Sequence, residues 1–431
     1  MQTSRPESQG APRIVELAIE SIGARGDGIG RLAGQLVYVP RTVPGDQVRV
    51  RLGQRRGNGF AAEAIELLRP GADRVTPPCR HFDSCGGCAL QHWSEERYAA
   101  WKSRQVAVAL AHRGFQDAPV LPMLRVPAAS RRRASLAAER AGKRVRLGFH
   151  QRASHRVVDL TDCHILLPEL TRLLPSLRDL LAAMLTEGER AQIAITQTDS
   201  GVDLVLGRPG NLDLAAREAL ADYAVRADLA RLSWLTPPDQ AEPVAHRRPV
   251  RMRFGDVLVD LPPGAFLQPS AAGEAALVAG AAAALGNCRR IADLYAGCGT
   301  FSFPLAHGAQ VHAVDGDRQA ILALASAARR AGLGARVTSA ARDLADSPLS
   351  AEELQPFDGV LFDPPRAGAR AQARELARSS VPVAVAVSCD PATFARDARI
   401  LVDGGYRLLE VAPVDQFVWS PHVELTAVFR R

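Results

Sequence analysis

From about residue 287 to the C-terminus, short apolar runs alternate with segments of helical period, and no other feature constrains the fold as much. Ile291–Tyr295, Val311–Val314, Val337–Ala340, Gly359–Phe362 and Val381–Val387 read as strands, with helices predicted over 301–306 and 318–331. Leu408–Val411 and Val423–Phe429 add two more strands. Apolar strands separated by helices form a mostly parallel, doubly wound sheet, and such sheets bind ligands at the carboxyl ends of their strands. The chain's unusual residues fall at those ends: Gly297-Cys-Gly299, Asp315, Asp343, Asp363-Pro-Pro-Arg366 and Ser388-Cys-Asp-Pro391.

Asp293-Leu-Tyr-Ala-Gly-Cys-Gly299 has two of the three glycines of a dinucleotide fingerprint, with Ser302 in the third place. An incomplete fingerprint suits S-adenosylmethionine (SAM), which has no pyrophosphate to cradle. Asp315 lies 22 residues after Asp293, where a carboxylate can accept ribose hydroxyls. Two prolines after Asp363 remove two N–H donors and stiffen the loop that presents its carboxylate. Pro391 suits the first position of a helix and Asp390 its N-cap. Cys389 then stands just ahead of a helix N-terminus, whose dipole is expected to lower its pKa and make it a nucleophile. Glu424, in His422-Val-Glu424, is the candidate base.

Residues 1–12 are expected to be a loose tail. Residues 13–69 carry short strand signals (Ile14–Ile19, Leu36–Val39, Val48–Leu52, Phe60–Leu68) broken by Gly and Pro turns, the pattern of a small OB-type barrel. Arg49, Arg51, Arg55 and Arg56 put positive charge on it. Residues 94–114 have helical period. The middle of the chain reads as α+β, with strands near Val145–Phe149, Val157–Leu160 and 191–207 and helix over 166–186. Charge is uneven: residues 1–150 carry a net +11 and residues 151–431 a net −4. A basic front half suggests a polyanion partner, and Arg131, Arg132 and Arg133 are candidates for an RNA-facing surface. The seven cysteines are an odd number and the start resembles no signal peptide, which argues against a disulfide framework and for the cytoplasm. Cys79, Cys85 and Cys88 have C-x5-C-x2-C spacing, and Cys163 can complete the set. Four thiolates suit zinc or a [4Fe–4S] cluster; the solitary fourth ligand favours the cluster. No apolar run is long enough to cross a membrane.

Together these residues resemble the RNA uridine C5-methyltransferases, and most nearly their iron–sulfur bacterial branch that acts on 23S ribosomal RNA. The likeness covers nearly the whole chain. It rests on DLYAGCGTF, VDGD, FDPPRAG, SCDPATFARD and HVE in that order, on Gly264-Ala-Phe-Leu-Gln268, and on the cysteine spacing. The resemblance implies a TRAM barrel over 1–70, an α+β iron–sulfur central domain over 71–262 and a Rossmann-like methyltransferase domain over 263–431. It implies SAM bound by Gln268, Tyr295, Thr300, Asp315, Asp343 and Asp363. Cys389 would be the nucleophile, Glu424 the base, and Cys79, Cys85, Cys88 and Cys163 the ligands of a [4Fe–4S] cluster. The implied reaction methylates C5 of a uridine in 23S rRNA through a covalent Cys–C6 adduct, by a cytoplasmic monomer. The competing readings are a tRNA uridine C5-methyltransferase, a nitrogen methyltransferase suggested by Asp363-Pro-Pro, a radical-SAM methylthiotransferase, and a non-catalytic iron–sulfur RNA-binding protein. Ala296 stands where the family often has Cys, Ser270 and Asp390 where it often has Asn, and Ser130 where it has an aromatic residue.

Overall fold

The computed structural model describes residues 13–208, 210, 212–236 and 240–431, so the expected tail at 1–12 lies outside them. The chain forms two compact units, Met1–Lys102 with Trp419–Pro421, and Ser103–Val418 with His422–Arg431.

In the first unit, β1 (Ile14–Ile22), β2 (Gly28–Leu32), β3 (Gln35–Val39), β4 (Gln47–Arg56) and β5 (Gly59–Arg69) close into a barrel in the order β1-β2-β3-β5-β4. Alternate residues of these strands, Leu17, Ile19, Val37, Val39, Val48 and Val50, fill its interior, as the period-2 pattern requires. β2 occupies part of what the sequence suggests is only a turn. Its glycines are there for contact: a Cβ on Gly30 would lie 2.4 Å from the Ala18 carbonyl oxygen. The barrel's arginines are less available than the sequence implies. Arg49 pairs with Glu16 and Glu66, Arg51 with Glu63, and Arg56 with Asp27. The cysteine loop follows the barrel and leads into α1 (Glu95–Ala111).

In the second unit, a short strand β6 (Leu124–Arg125) precedes β7 (Arg133–Ala141) and β8 (Arg144–Gly148). The expected helix over 166–186 is divided into α2 (Pro168–Arg172) and α3 (Leu174–Met184), because Pro175 has no N–H to continue the first helix. Then come β9 (Arg190–Thr198), β10 (Gly201–Gly207), α4 (Leu214–Arg226), β11 (Arg231–Thr236) and β12 (Gln240–His246). These strands form a six-stranded sheet ordered β12-β11-β10-β9-β7-β8. Val157–Leu160 contributes no strand to it, only an isolated bridge at Val157. β13 (Arg251–Phe254) and β14 (Val257–Asp260) form a separate hairpin. Within the six-stranded sheet, Arg231 grips Asp203 with two hydrogen bonds of 2.8 Å, both side chains buried.

The remaining elements are α5 (Ala271–Leu285), β15 (Arg290–Leu294), α6 (Ser302–Leu305), β16 (Gln310–Asp315), α7 (Arg318–Arg330), β17 (Val337–Ala341), α8 (Ala351–Leu354), β18 (Gly359–Phe362), α9 (Arg370–Arg378), β19 (Val383–Ser388), α10 (Pro391–Asp403), β20 (Arg407–Asp415) and β21 (Glu424–Arg430). Their sheet is ordered β17-β16-β15-β18-β19-β21-β20-β6, with β21 antiparallel to both neighbours. Leu361, Val385 and Val387 pack on the side of α5 and α7, whereas Val360, Phe362, Ala384 and Ala386 pack on the side of α9 and α10. Burial on both faces accounts for the unbroken apolar runs in the sequence. Among the described residues no helix is long and apolar enough to cross a membrane.

Candidate active site

The strand order reverses between β15 and β18, which opens a crevice at the carboxyl edge of the sheet. A cleft of about 750 Å³ occupies this place. Gln268, Tyr295, Thr300, Asp315, Asp343, Asp363, Cys389 and Glu424 all line it. Most arrive there because they follow parallel strands. Glu424 arrives by a different route: β21 runs the opposite way, so its first residues lie beside the last residues of β19, with Leu425 paired to Ser388.

The turn after β15 is shaped for close approach. Tyr295 has φ +63° and Gly297 φ +53°, and a Cβ on Gly299 would meet a Phe303 ring carbon at 2.5 Å. The Gly297 amide donates to Asp315 Oδ2 at 2.8 Å, tying this turn to the end of β16, while Asp315 Oδ1 accepts from the Asp317 amide at 2.7 Å. Asp293, beneath the turn, is fully buried and accepts a hydrogen bond from Ser302. Burial pushes its carboxyl up to about 7.

A chain of side-chain hydrogen bonds crosses the floor of the cleft. Gln268 Nε2 donates to Asp363 Oδ2 at 2.9 Å. Gln416 Nε2 donates to Gln268 Oε1 at 3.0 Å and to Glu424 Oε2 at 2.8 Å. Burial raises the Glu424 carboxyl to about 7, against the opposing pull of Gln416 and the Arg366 charge. Asp363 is raised well above the usual carboxylate range, by burial first and then by Glu424. Two buried acids so placed resist ionising together.

Cys389 stands where the sequence suggests, directly before α10. Asp390 is the helix N-cap, its carboxylate accepting from the Ala392 and Thr393 amides at 2.9 and 3.0 Å, and Pro391 follows it. The expected lowering of the thiol pKa is not found. Burial, reinforced by Glu424 and Asp363, pushes Cys389 up to about 11. Desolvation and two nearby carboxylates outweigh one helix end.

The arginine run divides by strand alternation. Arg131 and Arg133 line the cleft, their guanidinium carbons 5.7 Å and 4.6 Å from the ring centres of Phe417 and Phe266. Arg132 does not face RNA as expected. It is 3% exposed, donates to the Gln268 carbonyl at 2.9 Å and pairs with Glu274. It therefore braces the segment that carries Gln268. Sequence reasoning missed both Arg132's inward role and Gln416. Among the described residues, no group of three or more His, Cys, Asp or Glu side chains is arranged to hold a metal ion. Cys79, Cys85 and Cys88 belong to the first unit and Cys163 to the second, so the expected cluster rests on spacing and resemblance.

A family model described as tRNA (uracil-5-)-methyltransferase matches residues 344–431. A Caulobacter vibrioides protein named as an uncharacterized RNA methyltransferase is 43% identical over 96% of this chain and 100% of its own length. The 23S rRNA (uracil(1939)-C(5))-methyltransferase RlmD of Halomonas elongata is 35% identical over 97% of this chain and 89% of its own. The crystal structure of Pyrococcus abyssi tRNA (uracil-54, C5)-methyltransferase with S-adenosyl-L-homocysteine superposes with a TM-score of 0.73 at 23% identity, covering 96% of this chain and 100% of that one. The chain belongs to the RNA uracil-C5 methyltransferase family and is one of its SAM-dependent enzymes.

Proposed function

We propose that the protein methylates C5 of a specific uridine in 23S rRNA through a covalent adduct on Cys389. The observation that carries this reading is the meeting of Cys389, Glu424, Asp363 and Gln268 in one cleft. SAM supplies the methyl group, and Gln268, Tyr295, Thr300, Asp315, Asp343 and Asp363 are the residues that would hold it. The glycine turn and Asp315 suit an adenosine without a pyrophosphate.

Uracil C5 is a weak nucleophile until C6 is saturated. The Cys389 thiol loses its proton to a carboxylate of the site, and Sγ adds to C6, moving the C5–C6 electron pair onto the ring as an enolate. C5 then takes the methyl group, and the sulfonium leaves as the neutral thioether. Glu424 removes the C5 proton, the C5–C6 double bond re-forms, and the C6–Sγ bond breaks to release Cys389 as thiolate. A raised Glu424 carboxyl fits a base that works near neutral pH. The uridine must leave its stack to reach the cleft. Residues 1–70 and 71–262 would bind and shape the RNA, with Arg131 and Arg133 at the mouth, while residues 263–431 carry out the transfer.

A [4Fe–4S] cluster on Cys79, Cys85, Cys88 and Cys163 is the second part of this reading and enters no step of the redox-neutral reaction. Its support is the C-x5-C-x2-C spacing, together with the Gly87 amide donating to Cys85 Sγ at 3.4 Å, a contact of the kind that tunes cluster thiolates.

The test is methylation of ribosomal and transfer RNA with methyl-labelled SAM and mapping of the product. Cys389→Ala is expected to abolish transfer while keeping SAM binding. Glu424→Gln is expected to leave a labelled protein–RNA adduct that survives denaturing electrophoresis. Labelling of tRNA alone would overturn the 23S assignment, and full activity in Cys389→Ala would overturn the mechanism. Anaerobic protein should carry about four irons per chain; one zinc per chain instead would remove the cluster.

A further inference from the structure

Gln416 follows the last residue of β20, and Val414 of that strand pairs with Glu424 of β21. The side chain is 3% exposed and lies between two segments far apart in sequence. Its Nε2 reaches Glu424 Oε2 at 2.8 Å and Gln268 Oε1 at 3.0 Å. Both contacted atoms are oxygens, the nitrogen end of the amide faces them, and both its protons are spent. The carbonyl end has no hydrogen-bond partner among the described residues although it is buried. An amide that leaves a buried acceptor unsatisfied has had its orientation dictated by the groups at its other end.

The surroundings are cut to admit it. Gly273, in the first turn of α5, has no Cβ; one placed there would lie 2.4 Å from Gln416 Oε1 and 2.8 Å from its Cβ. Ser270 does not compete for the same partners, since its Oγ caps α5 by accepting from the Gly273 amide at 3.1 Å.

We propose that Gln416 is a positioning residue for methyl transfer, its single amide nitrogen locking the base Glu424 to Gln268 of the cofactor-binding segment. The inference rests on the reading of Glu424 as base and Gln268 as SAM ligand. Holding Oε2 leaves Oε1 as the oxygen of Glu424 without this tether, and so the one to receive the C5 proton. On the other side, Gln268 is oriented with its nitrogen toward Asp363, which leaves its second amide proton for a ligand. Gln416 thus fixes the distance between the group that removes the proton and the segment that holds the methyl donor. The charged group that acts on Glu424 here is Arg366, which lowers its pKa against burial, and Glu424 in turn raises Asp363 and Cys389. Gln416 adds a neutral donor that favours the ionised carboxylate.

The test uses the full chain, its RNA substrate and methyl-labelled SAM. Gln416→Met keeps the length of the side chain and removes the donor. The labelled protein–RNA adduct is expected to live on the order of tenfold longer, the size of one lost hydrogen bond to a charged group. The acid limb of the adduct-breakdown rate should move to higher pH, because Glu424 loses a bond that favours its charged form. A packing role alone would lower stability and leave that limb in place. Gly273→Ala, which pushes on the same amide from α5, should reproduce both effects if Gln416→Met does not fold. An adduct lifetime and acid limb equal to wild type in the folded variants would overturn the proposal. Glu424→Gln run alongside separates the two readings. If it traps adduct while Gln416→Met behaves as wild type, only the role of Gln416 fails; if it traps none, the base and its tether fall together.

Discussion

The Cys389 thiol offers a direct measurement of which force governs the site. Its pKa is pushed from an ordinary 9.0 to about 11, by burial first and by Glu424 and Asp363 after it. That corresponds to at most about 3 kcal/mol of preference for the neutral thiol, before solvent screening at a half-buried group reduces it. At pH 8 the thiolate is then about a hundredfold scarcer than in an exposed cysteine. A more basic thiolate is also a better nucleophile, and a Brønsted slope of about 0.4–0.5 returns roughly six- to tenfold. Iodoacetamide should therefore alkylate Cys389 in the ligand-free protein about ten- to fifteenfold more slowly than a free cysteine peptide at pH 8. The rate should climb tenfold per pH unit up to about 10. Peptide mass spectrometry resolves Cys389 from the other six cysteines, and Cys389→Ser gives the blank. Glu424→Gln removes one of the charges that disfavour thiolate, so its titration curve should move to lower pH. A midpoint at or below about 8.5 in the wild-type protein would show that the dipole of α10 prevails over burial, and the reasoning here would be wrong.

Two further perturbations test the surrounding framework. Arg231→Met strands the Asp203 carboxylate in the six-stranded sheet and should cost about 3–5 kcal/mol in denaturant unfolding; a loss under about 1 kcal/mol would mean that water reaches the pair. Asp293 binds its proton more tightly folded than unfolded, with a pKa raised from 3.8 to about 7. Its contribution is therefore fully present below about pH 4 and lost as pH rises to about 7, a fall on the order of 4 kcal/mol. Asp293→Asn should abolish that part of the slope, and an unchanged pH profile of Tm would refute the assignment.

The sheet and its carboxyl edge were legible because their signals are local. An apolar run such as Gly359–Phe362 is buried on both faces, and the residues that end it (Asp363, Pro364, Pro365) are turn formers. Asp390 and Pro391 announced α10 for the same reason, since a cap is written within three residues. What escaped was set by chain segments that meet only in the fold. Gln416 and Gln268 are 148 positions apart, and no spacing rule joins them. The basicity of Cys389 comes from burial first and then from Glu424 and Asp363, which β21 and β18 bring to it, whereas the helix end that argued the other way was visible in the adjacent residues. Three consecutive arginines at 131–133 look equivalent in sequence; entering β7 puts 131 and 133 on the cleft and turns 132 inward.

The departures from the family pattern can be read in the same physical terms. Ser270 and Asp390, which the resemblance sets against a frequent Asn, are both helix N-caps here, each accepting a backbone amide in the first turn of α5 and α10. Ser and Asp serve that purpose as well as Asn does, so the backbone that presents Gln268 and Cys389 keeps its course. An Asn side chain also carries an amide donor, which neither replacement has. An amide donor enters the floor of the cleft from the end of β20, through Gln416, with Gly273 leaving the room for it. Ala296 is 4% exposed beside the positive-φ Tyr295, where a small apolar side chain fits the turn, and the thiol of that turn is the buried Cys298.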